Sequence, residues 1–419
     1  MSEPVRSAVR GWDPEDPRHA AVAWGRMAEP GDLAAATLVA DRGHVAALRW
    51  VLGGAGGNLE PPCEPWDPRV WHRARERWAP RLEVVRPERE LAVVERLGGT
   101  VLTRQDPRWP RALADLGLGE PHCLWVRGDP DLPRRCRSGG VAIVGARAST
   151  AYGAHVASEF AAGVVAAGGV VVSGGAYGID AVAHQAALAR GGDTLAVMAG
   201  GLDRLYPAGN AELLDRVTRE GAVVAELGPG SSPTRARFLT RNRLIAALAA
   251  ACVVVEAGWR SGTLSTAGHA ARLLRPVGAV PGPVTSAASA GCHRLLRDQA
   301  AICVTDVPEV MSLVESADAT RPEAREQVSV STVEPGAPQG DQVGPPPGLA
   351  ARELAVWEAL PARGSATPDA LIRASGLAPR EVNAALGRLE LGGHLERDGA
   401  RLRRSRRPRR SSAHGPVVD

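Results

Sequence analysis

Six short apolar runs, mostly β-branched, punctuate the middle of the chain: VAIVG at 141–145, VVVS at 170–173, TLAVMA at 194–199, AVVAE at 222–226, CVVVEA at 252–257 and VGAV at 277–280. Between them lie segments of helical length, such as GAHVASEFAAGVVAAGG and DAVAHQAALARGG. Runs without in-and-out alternation suit strands covered on both faces, and strands alternating with helices imply a parallel sheet. The pattern therefore predicts an α/β domain over 141–315, a Rossmann-like, doubly wound, mostly parallel sheet. In such sheets ligands collect at the carboxyl ends of the strands. The glycine-rich segments fall at those ends.

The flanks carry other rhythms. Residues 1–80 show short Ala, Leu and Arg helical patterns broken by Gly-Gly and Pro-Pro, which predicts a small N-terminal helical domain. A connector over 81–140 is expected to hold a short strand and turns. Residues 316–349 are rich in Glu, Pro, Gly, Ser and Gln and too poor in large apolar residues to pack, the composition of a disordered linker. Over 350–403 three helical patterns, with turns at Gly364 and Gly376-Leu377, close on a polar turn, ERDGARL, as in a winged helix. The basic tail, 404–419, is expected to be solvated.

Composition narrows the chemistry. The chain has no lysine, so all 50 basic residues are arginine. Walker A phosphate binding, Schiff-base chemistry and a pyridoxal-phosphate anchor are thereby excluded. Forked arginine contacts to phosphate stay open. A net charge of +4 permits a nucleic-acid partner without requiring one. The six cysteines show no C-x-x-C pairing and no histidine at zinc spacing, so no metal site is expected. No apolar run approaches a membrane span, and the protein is expected to be cytoplasmic and away from membranes.

Three loops carry the candidate chemistry. After the first strand comes GARASTAYG, with Gly145 and Arg147; after the second comes SGGAYGID, with Ser173, Gly174, Tyr177, Gly178 and Asp180. Neither is G-x-G-x-x-G, but backbone N–H groups where such a loop opens a helix can receive a phosphate. Those glycines could instead serve only tight turns. After the fourth strand, Arg235, Arg237, Arg241 and Arg243 crowd around Phe238, with Asn242 among them. A ring between arginines is the composition expected where a base stacks and its phosphates are gripped, unless Phe238 merely plugs the core. Ser261, Gly262 and Thr263 open a further helix, and Glu256 stands just upstream. Asp180 is read as a helix cap. No pairing of carboxylates or histidines supports a general acid or base, so no catalytic residue and no cofactor is assigned.

The ordered segments VAIVGARAST, SGGAYGIDAVAHQAAL, GGLDRLYP, FLTRNRLIA, VVVEAGWRSGTLSTA and VPGPVTSAASAGCHRLL resemble those of the DNA-processing protein A family, also called Smf. The resemblance implies a non-enzymatic protein that binds incoming single-stranded DNA, loads the recombinase RecA during DNA uptake, and forms a homodimer. It implies that Gly145, Arg147, Ser173, Gly174 and the Phe238–Arg243 segment line a DNA pocket shaped by Gly178 and Asp180. Ala146, Tyr177 and Leu239 stand where the family commonly has serine, arginine and proline. A relative of the same architecture, the lysine-decarboxylase-like phosphoribohydrolases, carries P-G-G-x-G-T-x-x-E; Thr266 occupies that glutamate's place, which argues against nucleotide hydrolysis. A third reading is a duplex-binding regulator working through the C-terminal domain alone.

Overall fold

A computed structural model describes residues 11–53, 68–319, 349–360, 365–375, 379–398 and 401–405. The chain divides into two compact units, the first ending at Ser329.

In the first unit nine strands form one sheet: β1 (Gly99–Leu102), β2 (Leu124–Gly128), β3 (Gly140–Val144), β4 (Val170–Ser173), β5 (Thr194–Met198), β6 (Ala222–Ala225), β7 (Ala251–Val254), β8 (Val277–Ala279) and β9 (Ile302–Cys303). Their order is β1-β2-β6-β5-β4-β3-β7-β8-β9. The six apolar runs of the sequence are β3 to β8, all parallel. Successive residues of one strand feed opposite cores. Val141 and Ile143 pack with Phe160, Ala183 and Leu313, while Ala142 and Val144 pack with Leu244, Ile245 and Leu248. The covering helices include α6 (Ala151–Ala166), α7 (Ile179–Ala189), α8 (Ala211–Glu220), α9 (Arg235–Leu248), α10 (Thr263–Arg272), α11 (Ala290–Arg297) and α12 (Val307–Ala319). β4, β5 and β6 lie on one side of β3 and β7 on the other, so the order reverses between β3 and β7. Doubly wound folds bind at that switch point.

The connector holds more than a short strand and turns. Beyond the helix α4 (Pro87–Arg96) and the four-residue α5 (Leu132–Arg135), it supplies β2, which joins the sheet antiparallel to β6, and β1, which pairs antiparallel with β2 at the sheet's edge. Strands this short leave little period-2 signal, and β2 reaches the rest of the sheet only through β6, almost a hundred residues downstream. The N-terminal helices α1 (Pro17–Met27), α2 (Leu33–Leu52) and α3 (Pro68–Leu82) enclose a tryptophan-rich core of Trp24, Trp50, Trp71 and Trp78. Asp16 and Asp32 cap α1 and α2 by accepting from backbone N–H groups one turn on. This bundle belongs to the same compact unit as the sheet rather than standing apart. α12 runs to Ala319, beyond the expected start of the linker. The linker's remaining residues up to 348, and the tail beyond 405, lie outside the described residues.

The second unit contains α13 (Ala351–Ala359), α14 (Pro368–Ser375), α15 (Pro379–Leu391) and an antiparallel hairpin of β10 (Leu395–Asp398) and β11 (Arg401–Arg404). Val356, Trp357, Leu371, Val382, Leu386 and Leu402 form its core. Three helices with a hairpin wing make a winged helix. The turns at Gly364 and Gly376-Leu377 lie outside the described residues.

Candidate nucleic-acid interface

The loops that leave β3, β4 and β7 meet at the switch point, but the protein's own carboxylates already hold the main-chain donors the sequence offered to phosphate. Asp180 Oδ2 accepts from the N–H of Gly174 at 3.1 Å and of Ala176 at 3.4 Å. It therefore ties the loop rather than capping α7, whose N-cap position is Gly178 without a side-chain bond. Gly178 has φ +74°, and a Cβ there would lie 2.2 Å from the carbonyl oxygen of Ala146. The Ser173 hydroxyl is wholly buried and donates to the Ile143 carbonyl at 2.7 Å, bracing β4 against β3. At the head of α6, Glu256 accepts from the Thr150 N–H at 2.9 Å and its hydroxyl at 2.5 Å. The Thr263 hydroxyl donates to the Gly145 carbonyl at 2.9 Å, and Ser261 Oγ accepts from the Thr263 N–H at 3.2 Å. Gly145, Ser173, Gly174, Ser261 and Thr263 thus build the loops. Their polar groups are engaged within the protein.

The arginine-rich stretch is a helix rather than a loop. Thr234 caps α9, its hydroxyl accepting from the Arg237 N–H at 3.2 Å. Residues on a helix turn about 100° apiece, so the basic side chains cannot all face one way. Arg243 points inward: its guanidinium forks onto Glu226 at 2.7 and 2.8 Å and donates to the Gly119 carbonyl at 2.8 Å. It is a structural arginine, not one open to solvent. Asn242 donates to the Gly262 carbonyl at 3.2 Å. Arg237 forks onto Glu29, in the turn between α1 and α2, at 2.9 and 3.1 Å. Arg241 is buried and donates to the Val197 carbonyl at 2.5 Å. It lies so close over Gly174 that a Cβ there would be 2.1 Å from Nη1. Burial draws the Arg241 pKa down to about 10 while the charge of Asp180 opposes the fall, so Arg241 stays cationic at neutral pH. Burial likewise pushes Asp180 above the usual carboxylate range, against the pull of Arg241 and the loop amides.

What remains outward is a ring framed by cations. Phe238 has the Arg147 guanidinium 4.9 Å and the Arg241 guanidinium 5.8 Å from its ring centre, with the Tyr206 ring 5.9 Å away. Arg147 and Arg235 are exposed, and neither forms an ion pair among the described residues. Tyr177 is exposed and its hydroxyl accepts from the Gly209 N–H at 3.2 Å. Asn210 steadies the same loop, donating to the carbonyls of Gly175 and Ala176, each at 3.0 Å. Aromatic faces beside fixed and free guanidinium groups suit stacked bases and their phosphates.

Sequence reasoning passed over Tyr206. The signal was scarcity: the chain has three tyrosines and two phenylalanines. Phe160 is core, whereas Tyr152, Tyr177 and Tyr206 are exposed at the carboxyl-end rim. Beneath the rim, His184 Nδ1 lies 2.7 Å from Thr194 Oγ1, and that hydroxyl donates to the Val171 carbonyl. Since the hydroxyl proton is committed, Nδ1 must be the donor, which leaves Nε2 a bare, buried acceptor. Among the described residues no His, Cys, Asp or Glu cluster could hold a metal ion, and no helix is long and apolar enough to cross a membrane.

The fold and its rim define a Rossmann-like protein with a basic, aromatic surface at the switch point and a winged helix downstream. Residues 100–315 match the family described as DNA recombination-mediator protein A, and residues 341–400 match the DprA winged helix domain. The chain is 42% identical over 394 residues to the putative DNA processing protein DprA of Mycobacterium tuberculosis strain H37Rv, covering 89% of this chain and 91% of the relative. It is 40% identical over 207 residues to the DNA processing protein DprA of Streptococcus pneumoniae, covering 49% of this chain and 71% of the relative. The X-ray structure of the Streptococcus pneumoniae DprA superimposes with a TM-score of 0.56 at 28% identity, covering 72% of this chain and 98% of that one. The chain belongs to the DprA family of DNA-processing recombination mediators.

Proposed function

We propose that this protein binds single-stranded DNA across the carboxyl-end rim and delivers it to the recombinase RecA during DNA uptake, acting as a cytoplasmic homodimer without catalysing a reaction. The observation that carries the reading is Phe238, framed by Arg147 and Arg241 and flanked by Tyr206. A base stacks on the ring, Arg147 and Arg235 meet backbone phosphates, and buried Arg241 supplies a fixed positive charge from below. Nucleotide hydrolysis fits poorly, because Thr266 is buried where a phosphoribohydrolase carries its glutamate, and Asp180 and Glu256 are bonded to the backbone.

Fluorescence anisotropy with a labelled single strand and its duplex, across a salt series, tests the proposal. The single strand should bind more tightly. Arg147→Ala should flatten the salt dependence by about 0.7, the loss of one phosphate contact on a single strand. Phe238→Ala should weaken binding by about 1–3 kcal/mol whatever the sequence. Equal affinity for the duplex, or an unaltered Phe238→Ala protein, would refute the reading. A protein lacking 350–419 should keep its single-strand binding; its complete loss would favour recognition by the winged helix.

A further inference from the structure

The rim carries an aromatic group that the Phe238 site does not use. Trp259, in the loop between β7 and α10, is 52% exposed, while the other eight tryptophans among the described residues are buried. Its ring is not loosely placed. The Arg294 guanidinium lies 5.4 Å from the ring centre, and the Ala257 carbonyl accepts from the Gly291 N–H at 2.6 Å, pinning the loop's start to α11. The loop's far end is held by Asn242 of α9, which donates to the Gly262 carbonyl at 3.2 Å. Gly262 also packs beside Leu239, the neighbour of Phe238. Arg260 is exposed, and neither Arg260 nor Arg294 pairs with a carboxylate among the described residues.

An exposed indole fixed by its surroundings loses little freedom on binding, and Arg294 over its ring and Arg260 next in sequence, neither of them neutralised, leave positive charge in its neighbourhood. β3 and β7 are neighbours, about 5 Å apart, so their terminal loops border one surface. We infer that Trp259, with Arg294 and Arg260, forms a second stacking station for the same DNA strand, one that receives a base after the strand has passed the Phe238 site. Every exposed tyrosine and tryptophan among the described residues, Tyr152, Tyr177, Tyr206 and Trp259, belongs to segments that follow the parallel strands. This inference rests on the single-strand reading above.

The test uses the full chain and fluorescent oligothymidylates of about 4 and about 15 nucleotides, lengths spanning common single-strand site sizes. Trp259→Ala should weaken binding of the long strand by roughly 5- to 150-fold, the range for one lost base stack, and leave the short strand, which fills the Phe238 site, unaffected. Trp259→Phe should restore most of the long-strand affinity, since it keeps a stacking face. In the parent, the difference in acrylamide quenching relative to Trp259→Phe should shrink when the long strand is added. A parent that binds both lengths while Trp259→Ala matches it on each overturns the second station and leaves the Phe238 reading standing. Loss of the short strand in Trp259→Ala also overturns it, because the residue would then belong to the first site. A parent that ignores both strands overturns both readings.

Discussion

Replacing Arg243 by alanine should destabilise the folded protein by about 3–5 kcal/mol, the usual consequence of leaving a buried partner charge uncompensated. Glu226 would lose its fork at 2.7 and 2.8 Å, and the Gly119 carbonyl would lose its donor. Side-chain exposures of 7% and 12% leave water little access to replace them. Urea denaturation of the single variants, together with Arg243→Met paired with Glu226→Leu, checks this. The double variant should recover most of the loss, because two apolar groups of similar volume leave no orphaned charge. An Arg243→Ala protein as stable as the parent, with weaker and less salt-dependent DNA binding, would instead make Arg243 a phosphate contact.

Acid should destabilise the protein through histidines whose surroundings hold them neutral, the wholly buried His184 among them. Burial and the nearby Arg241 hold the His184 pKa down at about 3, against 6.5 for an unperturbed histidine. Between those values the unfolded chain binds a proton that the folded protein refuses, so stability is full above pH 6.5 and falls as the pH drops. The slope is about 1.4 kcal/mol per pH unit for each such histidine. His44, held at about 4, and His122, also lowered, act in the same direction. Glu90 acts oppositely: burial raises it to about 7, so its protonation on acidification favours the fold. His184→Gln, which can still donate to Thr194, should reduce the slope of stability against pH between about 5 and 6.5 by roughly one proton. Denaturant titrations at several pH values measure it; an unchanged slope would mean that His184 is protonated in the folded state.

The alternation of apolar runs and helices made the sheet and its switch point legible, because both-face burial writes continuous β-branched strands into the sequence. β1 and β2 were legible only as a single short strand, since LWVRG is placed in the sheet by pairing with β6 and GTVL by pairing with LWVRG. The position of the candidate site, at the carboxyl ends of the strands, was proposed from where the glycine loops fall, and the structure brings those loops together there. Side-chain direction was not legible. The density of arginine around Phe238 looked like one basic surface, whereas a helical turn sends Arg243 to Glu226 and Arg237 to Glu29. Likewise Asp180, six residues after Gly174, could be placed near the loop from sequence, but that it would bind the loop's own amides depends on how Gly178 bends the chain.

That last arrangement bears on selectivity in a cell full of small phosphates. An anion seeking the amides of Gly174 and Ala176 must displace a carboxylate tethered in the same chain, which competes at the high effective concentration of an intramolecular ligand. Free nucleotides and inorganic phosphate, each bringing a single point of attachment, compete poorly there. A polymer needs none of those amides, because it can gather many weak contacts along the outward arginines and rings at once. On the single-strand reading, a cradle filled by Asp180 would let the protein respond to the length of a strand rather than to single phosphate groups.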